Sequence, residues 1–155
     1  EPLRAWVACC ATGEEAYTVA MLFTDAFLRH GRRPAIKVFA TDIEQQYLDQ
    51  AAAGWYPATI AAEVSAPWLD RWFTQRDGGY AIRTELRQSV IFARHNLLAD
   101  PPFTRMDFVS CRNALIYFQH GPQERALRRL QYALNVGGTL MLGGWAWLVW
   151  VAARY

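Results

Sequence analysis

The chain is poor in cysteine and in charge, and no run of like charge exceeds the pairs Arg32-Arg33 and Arg128-Arg129. Its 16 basic residues oppose 14 acidic ones, leaving +2 over 155 residues. That balance gives no electrostatic footprint for nucleic acid, which calls for a basic stripe or face. The three cysteines, Cys9, Cys10 and Cys111, are an odd number, and the adjacent pair sits in an apolar run that reads as a strand. Strand neighbours point to opposite faces and rarely pair, so a reduced, cytoplasmic setting is favoured. No CxxC or Cys/His cluster is present, which argues against structural zinc. The chain opens Glu-Pro-Leu-Arg, without a basic region and apolar stretch, so no secretory signal is expected. Internal repeats and low-complexity linkers are also lacking.

What is present suits one packed domain. Apolar residues make up 53% and aromatic residues 14%, the balance of a chain that folds around a core. A charge-free window runs from Ala133 to Ala153. It is long enough to span a bilayer, but Asn135, Gly137-Gly138 and Gly143-Gly144 interrupt it, so the preferred reading is a buried strand followed by a turn.

Along the chain, Ala5 to Cys10 is a short apolar block without helical period, suited to a strand buried on both faces. From Glu14 to about His30, apolar residues recur every three to four positions and Gly31 follows where a helix would stop. A second strand, Ile36 to Ala40, and a second helix, about Glu44 to Ala53, complete a βαβα pattern. This predicts an α/β fold with a mostly parallel sheet and helices on both faces. Between Trp55 and Gln88 the alternation breaks into a short helix (Ala66 to Trp72), a turn at Asp77-Gly78-Gly79 and a brief strand near Tyr80 to Arg83, which reads as a small inserted subdomain. Strands then follow at Val90 to Ala93 and Asp107 to Ser110, a helix from about Pro122 to Leu134, and a strand from Thr139 to Leu142.

In open parallel sheets, ligands bind at the carboxyl ends of the strands, where strand order reverses. Four polar clusters fall just after expected strands: Ala11 to Glu15, Asp42, His95 to Leu97, and Cys111 to Asn113. The first supplies backbone N–H groups at a helix N-terminus. Glu14 and Glu15 have two readings: complements to the helix dipole, or, for Glu15, a partner for a ligand's ammonium group. Asp42 either caps the following helix or accepts hydrogen bonds from a ribose diol with both oxygens. His95 reads by default as a histidine satisfied by backbone, whereas the Asn96 amide can both donate to and accept from an adenine edge. Arg112 and Asn113 are costly to bury unpaired; a ligand carboxylate, Asp107 or Asp100 would each satisfy Arg112. Trp68, Trp72 and Tyr80 read as core more readily than as a binding surface.

The runs AWVACCATGEEAYTVAML, KVFATDI, AGWYP, ELRQSVIFARHNLLADPPF and DFVSCRNALIYF resemble the chemotaxis-receptor methyltransferase family, often called CheR. The resemblance extends from Leu3 to Gly143 in the family's order, and CRN-x-LIYF together with HNLL-x-DPPF is specific. It implies a Rossmann-like fold that binds S-adenosyl-L-methionine, releases S-adenosyl-L-homocysteine, and methylates glutamate side chains on the cytoplasmic domains of methyl-accepting chemoreceptors. The membrane would then be reached only through the receptors.

By position, the resemblance makes Glu15 the contact for the cofactor's amino-acid end, with Thr12 and Gly13 in the same loop. It makes Asp42 the ribose ligand with Ile43 beside it, and Asn96 and Leu97 the adenine-side contacts. Arg112, Asn113 and Tyr117 match the cluster near the transferable methyl group, with Arg112 and Tyr117 in the catalytic role. The stretch of about 55–88 matches the small β-subdomain by which some members hold a receptor tail. The family's N-terminal helical domain is expected to be absent, and its Ser-Glu pair after Gly143 is replaced by WAWLVWVAARY, where one strand would fit. Alternatives are a cofactor-binding sensor or docking module, and a methyltransferase acting on another substrate.

Overall fold

Leu3–Ala8 forms the first strand, β1, and its residues carry the architecture: Ala5 and Val7 enter one core, Trp6 and Ala8 the other. A strand buried on both faces must lie in the interior of a sheet. In this computed structural model, which describes residues 1–112, 114–143 and 149–152, the elements after β1 are α1 (Glu14–Arg29), β2 (Ile36–Asp42), α2 (Gln45–Ala53), β3 (Trp55–Pro57), α3 (Ala66–Trp72), β4 (Phe73–Arg76), β5 (Gly79–Ile82), α4 (Thr84–Arg87), β6 (Val90–Arg94), β7 (Met106–Arg112), α5 (His120–Ala133), β8 (Leu134–Gly143) and β9 (Val149–Ala152).

The main sheet has the order β6-β2-β1-β7-β8-β9. The pairs from β6 through β8 are parallel, and β8 with β9 is antiparallel. The expected parallel α/β sheet is therefore present. On one face lies a core built with Tyr17, Ala20 and Met21 of α1, Leu48 of α2 and Leu86 of α4. On the other, Ala126, Leu130 and Ala133 of α5 pack on Trp6, Val109 and Leu140. A separate three-stranded antiparallel sheet, β3-β5-β4, occupies the interrupted stretch.

Several boundaries shift for local reasons. β1 ends at Ala8 rather than Cys10, because Cys9 (φ 57) and Ala11 (φ 48) take left-handed backbone that turns the chain out of the sheet. β7 extends to Arg112 because Cys111 and Arg112 stay in register with Leu142 and Gly143. β8 starts at Leu134, directly after α5, with a register shift between Met106 and Phe108. At the end of α1, Gly31 (φ 64) lets its N–H reach Leu28 O at 3.0 Å and Arg32 N–H reach Phe27 O at 2.9 Å, a Schellman closure. Trp72 is buried, and Trp68 and Tyr80 pack against the first core, as the core reading required. Among the described residues no helix is long and apolar enough to cross a membrane; the charge-free window contributes β8 and β9 instead.

Candidate active site

β1 and β7 lie side by side, yet the chain runs outward from β1 through β2 to β6 and, on the other side, from β7 to β8. Their carboxyl ends therefore meet at the point where strand order reverses, the place where open parallel sheets bind ligands. The loop from Cys9 to Gly13 rises there. Three of its five residues have positive φ, Gly13 at 94°, a concentration of strain that persists only where surrounding contacts hold it. Gly13 N–H is bonded to Cys10 O at 3.0 Å, and Tyr56 donates from its hydroxyl to Thr12 O at 2.8 Å.

Glu15, in the first turn of α1, is half-buried and accepts a short hydrogen bond from the hydroxyl of Ser110. Burial raises its carboxyl above the ordinary glutamate value, while the Ser110 hydrogen bond and the Arg112 guanidinium pull it back. Thus Glu15, Ser110 and Arg112 form one cluster across the α1–β7 gap. Ser110 is fully buried at 0% exposure and was not singled out from the sequence; a lone serine in the apolar run DFVSC was its only trace there. The Nε of Arg112 is buried with no hydrogen-bond partner among the described residues. Neither acid considered from the sequence reaches it. Asp107 lies at the other end of β7, accepting from Arg4 N at 3.0 Å and Asn135 Nδ2 at 2.9 Å, and Asp100 accepts from Asn96 N at 2.8 Å.

Asp42, the last residue of β2, is not the cap of α2; that place belongs to Glu44, without a side-chain hydrogen bond. Its Oδ2 instead accepts from Ala11 N at 2.9 Å and its Oδ1 from Glu44 N at 3.0 Å. The carboxylate thus ties the first loop to the second, and each oxygen keeps acceptor capacity for a further donor. Ile43 is 48% exposed, an uncovered apolar side chain on the rim. His95 N–H donates to Asp42 O at 3.0 Å, which draws the third loop beside the second. The His95 ring bonds Pro101 O through Nε2 at 2.8 Å and stands edge-on to Trp6, but its Nδ1 is buried without a partner among the described residues, so the satisfied-histidine reading holds for one ring nitrogen only. Asn96 uses Oδ1 to accept Leu98 N at 3.0 Å, leaving its Nδ2 donors. Leu97 is buried in the second core, so only its backbone is left for a ligand. Tyr117 is 81% exposed on a single turn after β7. Asn113 lies outside the described residues.

The thiols form a separate arrangement at the same strand ends. The neighbouring Cys111 thiol lowers the pKa of Cys9, while Cys9 and burial push Cys111 up. Burial raises Cys10 to about 12. All three are free.

These positions suit a zwitterionic nucleoside-like molecule. A half-buried carboxylate lies close to an arginine whose buried Nε lacks a partner among the described residues, and a second carboxylate with spare acceptor capacity stands one loop away. Solved structures place the fold. The S-adenosylmethionine-dependent methyltransferase SibL superposes with a TM-score of 0.57 at 15% identity, over 92% of this chain and 31% of that one. The [4+2]-cyclase SpnF does so with 0.55 at 20%, over 91% and 38%. This is the Rossmann-like fold of S-adenosylmethionine-dependent methyltransferases, and a cyclase that shares it shows that the fold alone does not fix the reaction.

The family follows from sequence. The model of the family described as CheR methyltransferase, SAM binding domain, matches residues 1–149; the chain belongs to that family, and its cofactor is S-adenosyl-L-methionine. A chemotaxis protein methyltransferase of Escherichia coli K12 is 36% identical over 150 residues, covering 90% of this chain and 50% of that protein. Another, from Listeria monocytogenes, is 34% identical over 143 residues, covering 92% and 53%. An uncharacterized 104.1 kDa protein in the hypE 3′ region of Rhodobacter capsulatus is 62% identical over 142 residues, covering 92% of this chain and 15% of that protein. The chain spans about half the length of the two named methyltransferases.

Proposed function

We propose that the chain is a protein-glutamate O-methyltransferase acting on the cytoplasmic domains of methyl-accepting chemoreceptors in chemotaxis signalling. The observation that carries the reading is the Glu15–Ser110–Arg112 cluster at the switch point, with Arg112 Nε buried and unpartnered among the described residues. Bound S-adenosyl-L-methionine would supply an electrophilic methyl group. Glu15 would hold its ammonium end, with Thr12 and Gly13 shaping the loop around it. Asp42 would accept from the ribose hydroxyls with the lone pairs that Ala11 and Glu44 leave free. Ile43 would cover the adenine, whose edge Asn96 Nδ2 and the Leu97 backbone would meet.

A glutamate acceptor is already ionised at neutral pH, so no proton has to be taken from it. The protein's task is to orient that carboxylate and to strip its water. Arg112 and Tyr117, with Asn113, would do the orienting. A guanidinium suits a carboxylate through paired N–H donors, and the exposed Tyr117 would be open to an incoming segment. The setting is then cytoplasmic, with no role for nucleic acid and with membrane contact only through the receptor.

The test is calorimetric titration with S-adenosyl-L-methionine, then transfer of labelled methyl to a receptor cytoplasmic fragment. Base-labile release of labelled methanol is the expected result. A base-stable product would move the activity to another substrate. Binding without transfer would favour a sensor or docking module, a reading supported by the Rhodobacter relative, in which the matching segment is only 15% of the protein.

A further inference from the structure

Beside the cofactor loop, between α1 and the small β3-β5-β4 sheet, lies a cavity of about 230 Å3. Tyr17, Tyr56, Trp68 and Phe73 line it, as do Glu14 and Glu63. Both tyrosine hydroxyls are already committed, Tyr17 to Ala51 O at 2.6 Å and Tyr56 to Thr12 O at 2.8 Å, so the aromatic lining offers a ligand apolar surface rather than hydroxyl partners, with Trp68 the least buried of the four. No lysine or arginine lines the cavity. Among the described residues neither glutamate forms an ion pair, and the Glu14 carboxylate accepts only the hydroxyl of Thr12, at 2.6 and 2.7 Å.

We propose that this cavity is a docking pocket for one arginine or lysine side chain of the protein that is methylated, an inference that rests on the function proposed above. Aromatic walls with carboxylates and no cation of their own attract a positive charge through ring quadrupole and Coulomb terms together. An apolar side chain would make no use of the two exposed carboxylates at the mouth, and an anion would be repelled by them. Arginine and lysine carry an apolar stem beneath a charged head and satisfy both parts. The volume is below that of pockets for drug-sized ligands and fits a single long side chain. The pocket also shares two hydrogen bonds with the cofactor loop, Thr12 to Glu14 and Tyr56 to Thr12. A cation seated on Glu14 therefore bears on that loop, and by linkage cofactor and cation alter each other's affinity by one factor.

The experiment titrates the whole chain, without cofactor or receptor, with N-acetyl-arginine-N-methylamide and with its neutral citrulline counterpart, following the Trp68 indole by NMR. Arginine is expected to bind about tenfold more tightly than citrulline, the scale of a partly desolvated cation–π contact. Glu63→Gln should remove that preference without moving the thermal midpoint, since Glu63 is exposed. In the methyl-transfer assay the same variant should raise KM for the receptor fragment at unchanged kcat. Equal binding of the two probes, a preference that survives Glu63→Gln, or shifts that leave Trp68 unmoved would each overturn the pocket. Receptor methylation with no arginine preference would remove the pocket alone. Arginine binding without receptor methylation would remove the substrate assignment and leave a cation site.

Discussion

Gly13 closes the loop after β1 against α2, and alanine there has a cost that can be worked out. The residue sits at φ 94, and an added Cβ would lie 2.8 Å from Ala51 Cβ, 3.2 Å from the Tyr56 hydroxyl and 3.3 Å from Ala51 Cα. Left-handed backbone costs a non-glycine residue about 1–2 kcal/mol, and forcing an extra carbon into a filled site adds about 1–3 kcal/mol. Gly13→Ala should therefore destabilise by about 2–5 kcal/mol, a large part of the roughly 5–15 kcal/mol that holds a domain together. Gly31→Ala separates the two contributions, because at φ 64 its Cβ would meet nothing within 4 Å; it should cost only the backbone part, about 1–2 kcal/mol. Urea unfolding followed by circular dichroism measures both. In an Ala51→Gly background, which removes the nearest atom, the Gly13→Ala cost should shrink by about 1 kcal/mol. If the two glycine variants differ by less than about 0.5 kcal/mol, the error allowed between independent sites, the contact with α2 does not exist and the packing of the loop has been misjudged.

Asp42→Ala should weaken S-adenosyl-L-methionine binding by about 1–3 kcal/mol in calorimetry, the usual loss on removing hydrogen bonds to a charged acceptor; unchanged affinity would leave the carboxylate only its role of tying two loops. Burial raises the Glu15 carboxyl above its ordinary value, so the native state holds this proton more tightly than the unfolded chain does. Its stabilising contribution is then complete below the unfolded value and is lost as pH rises through the folded one. Glu15→Gln should accordingly make the cofactor-free protein more stable at neutral pH but not in acid, while weakening cofactor binding; pH-dependent thermal unfolding checks the first and calorimetry the second. Trp6→Phe removes a fully buried indole and the 2.9 Å hydrogen bond from its N–H to Thr41 Oγ1. It should cost about 2–4 kcal/mol in urea unfolding, and a loss below about 1 kcal/mol would contradict that burial.

The α/β order was legible because hydrophobic period changes from helix to strand at each boundary, and α1 and α3 lie almost where their patterns put them. The short β3 and β4 were not legible, since three or four residues give no period to read and their pairing with β5 is set by contact across the turn. Asp42 shows the same limit at the site. Its type and place after a strand mark it as an acceptor, but the sequence could not say that its first partners are Ala11 in one loop and Glu44 in the next. Ser110 was hidden because its role depends on Glu15, 95 residues away.

The sequence by itself determined the family, the alternation that yields a parallel sheet, and the residue types gathered at its carboxyl edge, because local propensity and motif spacing are carried in the chain. Only the tertiary structure decided that Glu15 pairs with Ser110 and not with solvent, that neither Asp107 nor Asp100 serves Arg112, and that aromatic rings and two carboxylates enclose a cavity beside the loop. Those facts depend on which strands become neighbours and on how far burial strips charges of water, and both are settled only when the sheet has closed around its two cores.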